Sequence, residues 1–180
     1  DIIMLPFFKN LDEVKRFLVA VNGRAKTMLL LETPEAVAII DEILSLGGIN
    51  FIHIGLNDLS IGYGMNFMFE LLTDGTVEKL CFKFRKKNIE YGFGGIAALG
   101  KGAIPAEMVI KEHYRLGSTC AILSRSFCNV DKTPHMGVIS STFLNGIHEI
   151  REFEAECEKH VAYFMDNKWE LDKAVKNIVG

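Results

Sequence analysis

The sequence predicts an α/β protein in which strand–helix units build a parallel sheet, followed by a long C-terminal helix. Three observations lead there. Short apolar runs of strand length alternate with stretches of helical periodicity through the first two thirds of the chain. Several runs end in a chemically distinctive residue, as functional residues do at the carboxyl ends of parallel strands. Past residue 135 the pattern changes to apolar residues stepping by three or four, the seam of a single long helix.

The elements follow in order. Ile2–Pro6 is the first strand. A helix over Leu11–Val21 starts at Asn10, with Glu13 completing a capping box, and turns Val14, Phe17, Leu18 and Val21 inward before Gly23. Thr27–Leu31 is apolar at every position but the first, so both of its faces are expected to be covered. Thr33 caps the next helix, Pro34 takes its first position and Glu35 enters its first turn. Its inner face is Ala36, Val37, Ile40, Ile43 and Leu44, and Gly47-Gly48 closes it. Phe51–Ile54 is the third strand.

Residues 61–73 read as a loop over the site or as a packed connecting helix. Thr76–Asn88 is helical, with Lys79, Lys83, Arg85, Lys86 and Lys87 on a solvated face. Tyr91–Ala97 is a glycine-rich fourth strand. Pro105 opens a helix to Leu116 that Gly117 ends, and Thr119–Leu123 is the fifth strand. The seam Ile139, Phe143, Ile147, Ile150, Phe153, Cys157, Val161, Phe164 then marks the long helix. A last helix spans Lys168–Ile178 with Trp169 as its anchor. Residues 1–130 thus form a sheet domain and 131–180 a helical extension. That extension is expected to make a homo-oligomer through residues 135–165, or else to fold back on its own sheet.

Five parallel strands suit either an open doubly wound sheet or a partial TIM-type (β/α) barrel, which needs eight strands to close. A chain that opens on Asp1 and runs straight into a strand is expected to be a piece of a longer gene product.

Composition narrows the function. The chain has 180 residues, 49% of them hydrophobic, enough for one sizeable core. A net charge of −3 and a pI near 6.0 argue against a nucleic-acid partner. No apolar run is long enough to span a membrane and no signal peptide is visible. Cys81, Cys120, Cys128 and Cys157 show no CxxC pairing and read as reduced thiols of a cytoplasmic protein.

Glu32 and Asp58 carry the chemistry. Each stands where an apolar run stops, and they lie 26 residues apart, one strand–helix unit. In a parallel sheet that spacing sets two carboxylates on neighbouring strands, about 4.8 Å apart in backbone. Acids so close repel unless a cation lies between them, and a hard divalent cation such as Mg²⁺, bound through oxygen, answers that need. Gly55 allows close backbone approach, so that the segment Gly55-Leu56-Asn57-Asp58 can hold a substrate carboxylate on its amides. Arg125, just past the fifth strand, is placed to clamp an anionic group, or to make a structural salt bridge. Gly100-Lys101-Gly102 is a weak candidate for an anion loop. His113 reads as a histidine on a helix surface and His53 as an interior one, while His135, His148 and His160 have no ligand spacing.

Leu31-Glu32-Thr33-Pro34-Glu35-Ala36 and Ile54-Gly55-Leu56-Asn57-Asp58-Leu59-Ser60 resemble the HpcH/HpaI aldolase and citrate lyase β family of the phosphoenolpyruvate/pyruvate barrel superfamily. Ile3-Met4-Leu5-Pro6 is similar to a strand that precedes the metal glutamate there. The resemblance covers residues 1–127. It implies a TIM-type barrel, Mg²⁺ or Mn²⁺ on Glu32 and Asp58, and a substrate carboxylate on the amides of Asn57 and Asp58. It implies carbon–carbon lyase chemistry through the enolate of a 2-keto acid or acyl-CoA. The family's general base and arginine come from strands this chain lacks, and Leu123-Ser124-Arg125-Ser126-Phe127 departs from its usual pattern. The rival expectations are a phosphoenolpyruvate-using phosphotransferase domain and a non-catalytic oligomeric scaffold.

Overall fold

A computed structural model describes residues 1–132, 135–159 and 164–180. Its strands are β1 (Ile2–Leu5), β2 (Lys26–Leu31), β3 (Phe51–Ile54), β4 (Glu90–Ile96) and β5 (Cys120–Leu123). The helices between them are α1 (Leu11–Val21), α2 (Pro34–Ala38), α3 (Ile40–Ile43), α4 (Leu56–Gly62), α5 (Glu70–Thr73), α6 (Thr76–Lys86) and α7 (Ala106–Leu116). A 3₁₀ turn (Val130–Lys132), α8 (Met136–Lys159) and α9 (Phe164–Val179) follow.

The five strands are parallel and lie in the order β1-β2-β3-β4-β5, curled into a half-barrel. A doubly wound sheet would reverse its strand order part-way, so that alternative falls. The helices between the strands pack against one face of the sheet. On that face Leu29, Leu31, Ile52, Ile54 and Phe93 are fully buried in one core with Ile43, Leu56, Leu59, Val77 and Phe84. The register fixes the other face: Leu30 pairs with His53, and His53 with Gly92.

Local signals that the sequence displays are realised where expected. Asn10 accepts from the Glu13 amide at 3.0 Å while Glu13 reaches back to the Asn10 amide, closing the capping box of α1. Thr33 caps α2, with Pro34 at its first position. The glycines of β4 answer to packing. A Cβ on Gly92 would sit 1.9 Å from the Cys120 carbonyl oxygen. Gly94, at φ +58°, lies within the register shift between β4 and β5.

Three expectations need correction, and for residues 61–73 the structure selects the packed connecting helix of the two alternatives. The helix after β2 breaks at Ile39 into α2 and α3, although both pieces still bury Ala36, Ile40 and Ile43. Residues 61–73 finish α4 and form α5, with Phe69, Leu71 and Leu72 in the core, so they are a packed connection. Of the seam, Ile139 to Cys157 lie on α8 and Phe164 lies on α9, which also carries the expected last helix, while His160 and Val161 lie outside the described residues. Trp169 is 62% exposed; Asn167, Leu171 and Val175, spaced by four on the opposite side of α9, anchor it instead.

Phe143, Ile150 and Phe153 of α8 pack with Ile96, Ile110 and Phe127, back against the chain's own sheet. Met136, Leu144 and Ile147 of the same helix remain exposed. Among the described residues no helix is long and apolar enough to cross a membrane.

Candidate functional site

The register that pairs Leu31 with Ile54 brings the carboxyl ends of β2 and β3 side by side. Glu32 follows β2 directly. Asp58 follows β3 after the cap residue Gly55 and sits in the first turn of α4. The Gly55 amide donates to the Leu31 carbonyl at 3.0 Å, which carries the pairing one residue beyond the strands. A Cβ on Gly55 would stand 2.9 Å from both Cβ and Oε2 of Glu32. Glycine is therefore needed here to leave room for a carboxylate.

A third segment completes the site. The chain leaves β1 through Phe7, whose φ of +52° is left-handed, and its amide donates to Glu32 Oε1 at 2.8 Å. Phe8 is buried beneath it, and its carbonyl accepts from Thr33 Oγ1 at 2.7 Å. Thr33 thus joins the β1–α1 loop to the start of α2 while capping that helix. Across the cleft, a Cβ on Gly62 would come within 2.6 Å of Pro34 Cδ, so the end of α4 packs directly on the start of α2. Phe7, Lys9, Glu32, Pro34, Glu35, Asp58 and Ile61 line a cleft of about 350 Å³.

Glu32 is only 7% exposed. Burial pushes its carboxyl above the usual range, the Phe7 amide partly opposes this, and the Asp58 charge adds to the rise. Lys9, the cation lining the cleft, pairs with Glu35 at 3.3 Å. Asp58 is exposed and has no hydrogen bond or ion pair with a described residue. Among the described residues no three His, Cys, Asp or Glu side chains converge. The donor set is two coupled carboxylates, which fits a hard divalent cation that keeps water or substrate in its other positions.

The remaining expected residues lie elsewhere. Arg125 is exposed after β5, at the same end of the sheet but three strands from Glu32, about 14 Å at backbone spacing. It does not line the cleft and makes no salt bridge with a described residue. In the Gly100-Lys101-Gly102 loop, the Gly100 amide donates to Glu107 Oε1 at 2.8 Å, so an internal carboxylate already takes the place of an anion.

His113, expected on a helix surface, is buried. It stacks on Phe93 at 3.8 Å between centroids, and burial pushes its pKa down to about 3. Its Nδ1 is hydrogen-bonded to Ser118 Oγ at 2.7 Å, and the same hydroxyl lies within reach of the Tyr91 and Cys120 carbonyls. His53 is interior, as expected. Its Nε2 donates to the Gly94 carbonyl at 2.9 Å, and burial holds it at about 4.

Sequence reasoning missed the Phe7 amide, because a backbone donor leaves no mark in residue type. Its one available signal is position, just past β1 at the same end of the sheet. No protein-family model matches the chain, and no curated protein matches it in sequence.

Proposed function

We propose that this chain carries the metal site of a divalent-metal-dependent carbon–carbon lyase of aldolase or citrate lyase type. Its substrate would be a 2-keto acid or an acyl-CoA, and its fold a TIM-type (β/α) barrel. The observation that supports this is the placement of Glu32 and Asp58 in one cleft beyond the paired ends of β2 and β3, with the cation of that cleft, Lys9, paired to Glu35. Mg²⁺ or Mn²⁺ held there would supply Lewis-acid stabilisation of an enolate oxygen.

The chain's own residues prepare the site. The Phe7 amide holds Glu32 through Oε1 and leaves Oε2 beside Gly55 as the free donor. Asp58 offers a second carboxylate from the solvent side. Gly55 keeps a side chain out of the space between β2 and β3. The amides of Asn57 and Asp58, in the first turn of α4, have no helical acceptor four residues back and suit a substrate carboxylate.

Calorimetric titration with Mg²⁺ and with Mn²⁺, with and without oxalate, tests the reading. Binding is expected in the wild type, tighter with oxalate, and lost in Asp58→Ala. Absence of binding in the wild type, with Glu32→Ala as stable as the parent, would favour a non-catalytic scaffold. Turnover of 2-keto-acid aldols and of acyl-CoA thioesters then separates the two substrate classes.

A further inference from the structure

The turn that leaves β1 is fastened at several points. Phe7 holds a φ of +52°, a left-handed conformation that a side chain as bulky as phenylalanine rarely adopts. Such a conformation persists only where its surroundings over-determine it. The Phe8 side chain is buried beneath the turn. Thr33 Oγ1 donates to the Phe8 carbonyl at 2.7 Å, a buried hydrogen bond across 25 residues. The Lys9 amide donates to Glu13 Oε2 at 2.7 Å, and the Lys9 ammonium pairs with Glu35 at 3.3 Å. The turn is thereby tied to α1, to the end of β2 and to α2.

What the fastening aims is one backbone N–H. The Phe7 amide meets Glu32 Oε1 at 2.8 Å. The other oxygen, Oε2, lies against Gly55, where an added Cβ would stand 2.9 Å from it. The carboxylate is thus gripped by the turn after β1 on one side and by the turn after β3 on the other. With Oε1 accepting from a fixed amide, Oε2 alone is left for a cation. That count discriminates between hard cations. Ca²⁺ takes about six to eight oxygens and readily uses both oxygens of one carboxylate. Mg²⁺ takes a tight octahedron in which one or two carboxylates suffice and water fills the rest.

We propose that the turn after β1 sets the metal selectivity of the cleft: Thr33, acting through Phe8 and the Phe7 amide, restricts Glu32 to one oxygen and so favours Mg²⁺ over Ca²⁺. The inference rests on the metal site given under Proposed function and names what tunes it. Thr33 touches neither cation nor substrate; it is a positioning residue. Loss of its hydroxyl leaves the Phe8 carbonyl without that donor, lets Phe7 relax toward negative φ and turns the amide away from Oε1. Glu32 then offers both oxygens, and the advantage of Mg²⁺ shrinks.

Calorimetric titration with Mg²⁺ and with Ca²⁺, each alone, gives the ratio of the two affinities. Thr33→Val keeps the volume and removes the hydroxyl. It is expected to shift the ratio toward Ca²⁺ by about tenfold, while Thr33→Ser, which keeps the hydroxyl, holds the wild-type ratio. Thr33→Val also removes the cap of α2, so Glu13→Ala is the second variant. It loosens the turn from its solvent side and is expected to shift the ratio the same way by about threefold. Lost stability by itself leaves the ratio where it was, so the ratio reads positioning. An unchanged ratio in both variants, or parallel weakening of both cations, overturns the selectivity and leaves the metal site standing. Wild type that binds neither cation overturns the selectivity together with the lyase reading.

Discussion

Glu78 with Glu112, and Glu32 with Asp58, are both pairs of acids brought together by neighbouring strand–helix units, and the two are treated in opposite ways. Arg115 lies between the first pair. Its Nε donates to both Glu112 oxygens at 2.9 and 3.1 Å, and its Nη1 meets Glu78 at 2.9 Å. Lys168 adds a contact to Glu78 at 3.0 Å, and Asn167 donates to Glu112 at 3.2 Å. The Arg115 and Lys168 hydrogen bonds hold the Glu78 carboxyl at about 2. Glu112 is fully buried, and burial raises its carboxyl against the pull of Arg115. Around Glu32 and Asp58 the donors reduce to one backbone amide. The first arrangement is finished: it ties α9 to α6 and α7. The second is short of positive charge, and the function proposed above uses that shortage to hold a cation.

Removing the cation from the finished pair gives the largest expected effect. Arg115→Met strands the buried Glu112 carboxylate and is expected to destabilise the fold by about 3–5 kcal/mol in urea unfolding. A loss under about 1 kcal/mol would mean that Asn167 alone satisfies Glu112. Gly55→Ala strikes the unfinished pair. The backbone there tolerates alanine, but the new Cβ displaces Glu32, for about 1–3 kcal/mol of overpacking and at least tenfold weaker Mg²⁺ binding. Unchanged metal affinity would remove Glu32 from the site.

Two further substitutions test the comparison by the sign of its pH dependence. The Glu32 carboxyl is raised in the folded state, so its contribution to stability is complete below the unfolded value and is lost as pH rises through the folded one. Metal-free Glu32→Gln is therefore expected to melt higher than wild type at pH 7, with Mg²⁺ stabilising the wild type alone. Glu78 is the mirror case. Its contribution is present above the ordinary value of 4.5 and disappears as pH falls toward about 2. Glu78→Gln should flatten the acid limb of a stability–pH curve by under about 1 kcal/mol, because the side chain is partly exposed. Identical curves for wild type and Glu78→Gln would show that Arg115 serves Glu112 alone.

The sequence discloses what neighbouring residues decide. The span of α1 and the limits of β3 match their expected residues, because a capping box, a glycine stop and an unbroken apolar run are local signals. Glu32 and Asp58 were legible for the same reason, each standing at the end of such a run. The contacts that give these acids their character were not. Phe7 reaches Glu32 across 25 residues, Arg115 reaches Glu78 across 37, and Lys168 reaches Glu78 across 90. His113 has polar neighbours in sequence and still stacks inside on Phe93, because α7 packs directly on β4. Trp169 looked like an anchor by size, but the turn of α9 points Leu171 and Val175 inward instead.

The strand order has a consequence for how the molecule is made. Each strand pairs with the one synthesised just before it, so every ladder closes within a few tens of residues. A nascent chain can extend the sheet from β1 outward while β4 and β5 are still inside the ribosome. The clasp of α9 on α5 and α7 is different: Asn167 reaches Glu112 across 55 residues and Lys168 reaches Glu78 across 90. Chains stopped before α9 would carry a growing sheet with the Glu112 carboxylate lacking one of its donors, and nascent chains of that length are where chaperone binding should peak.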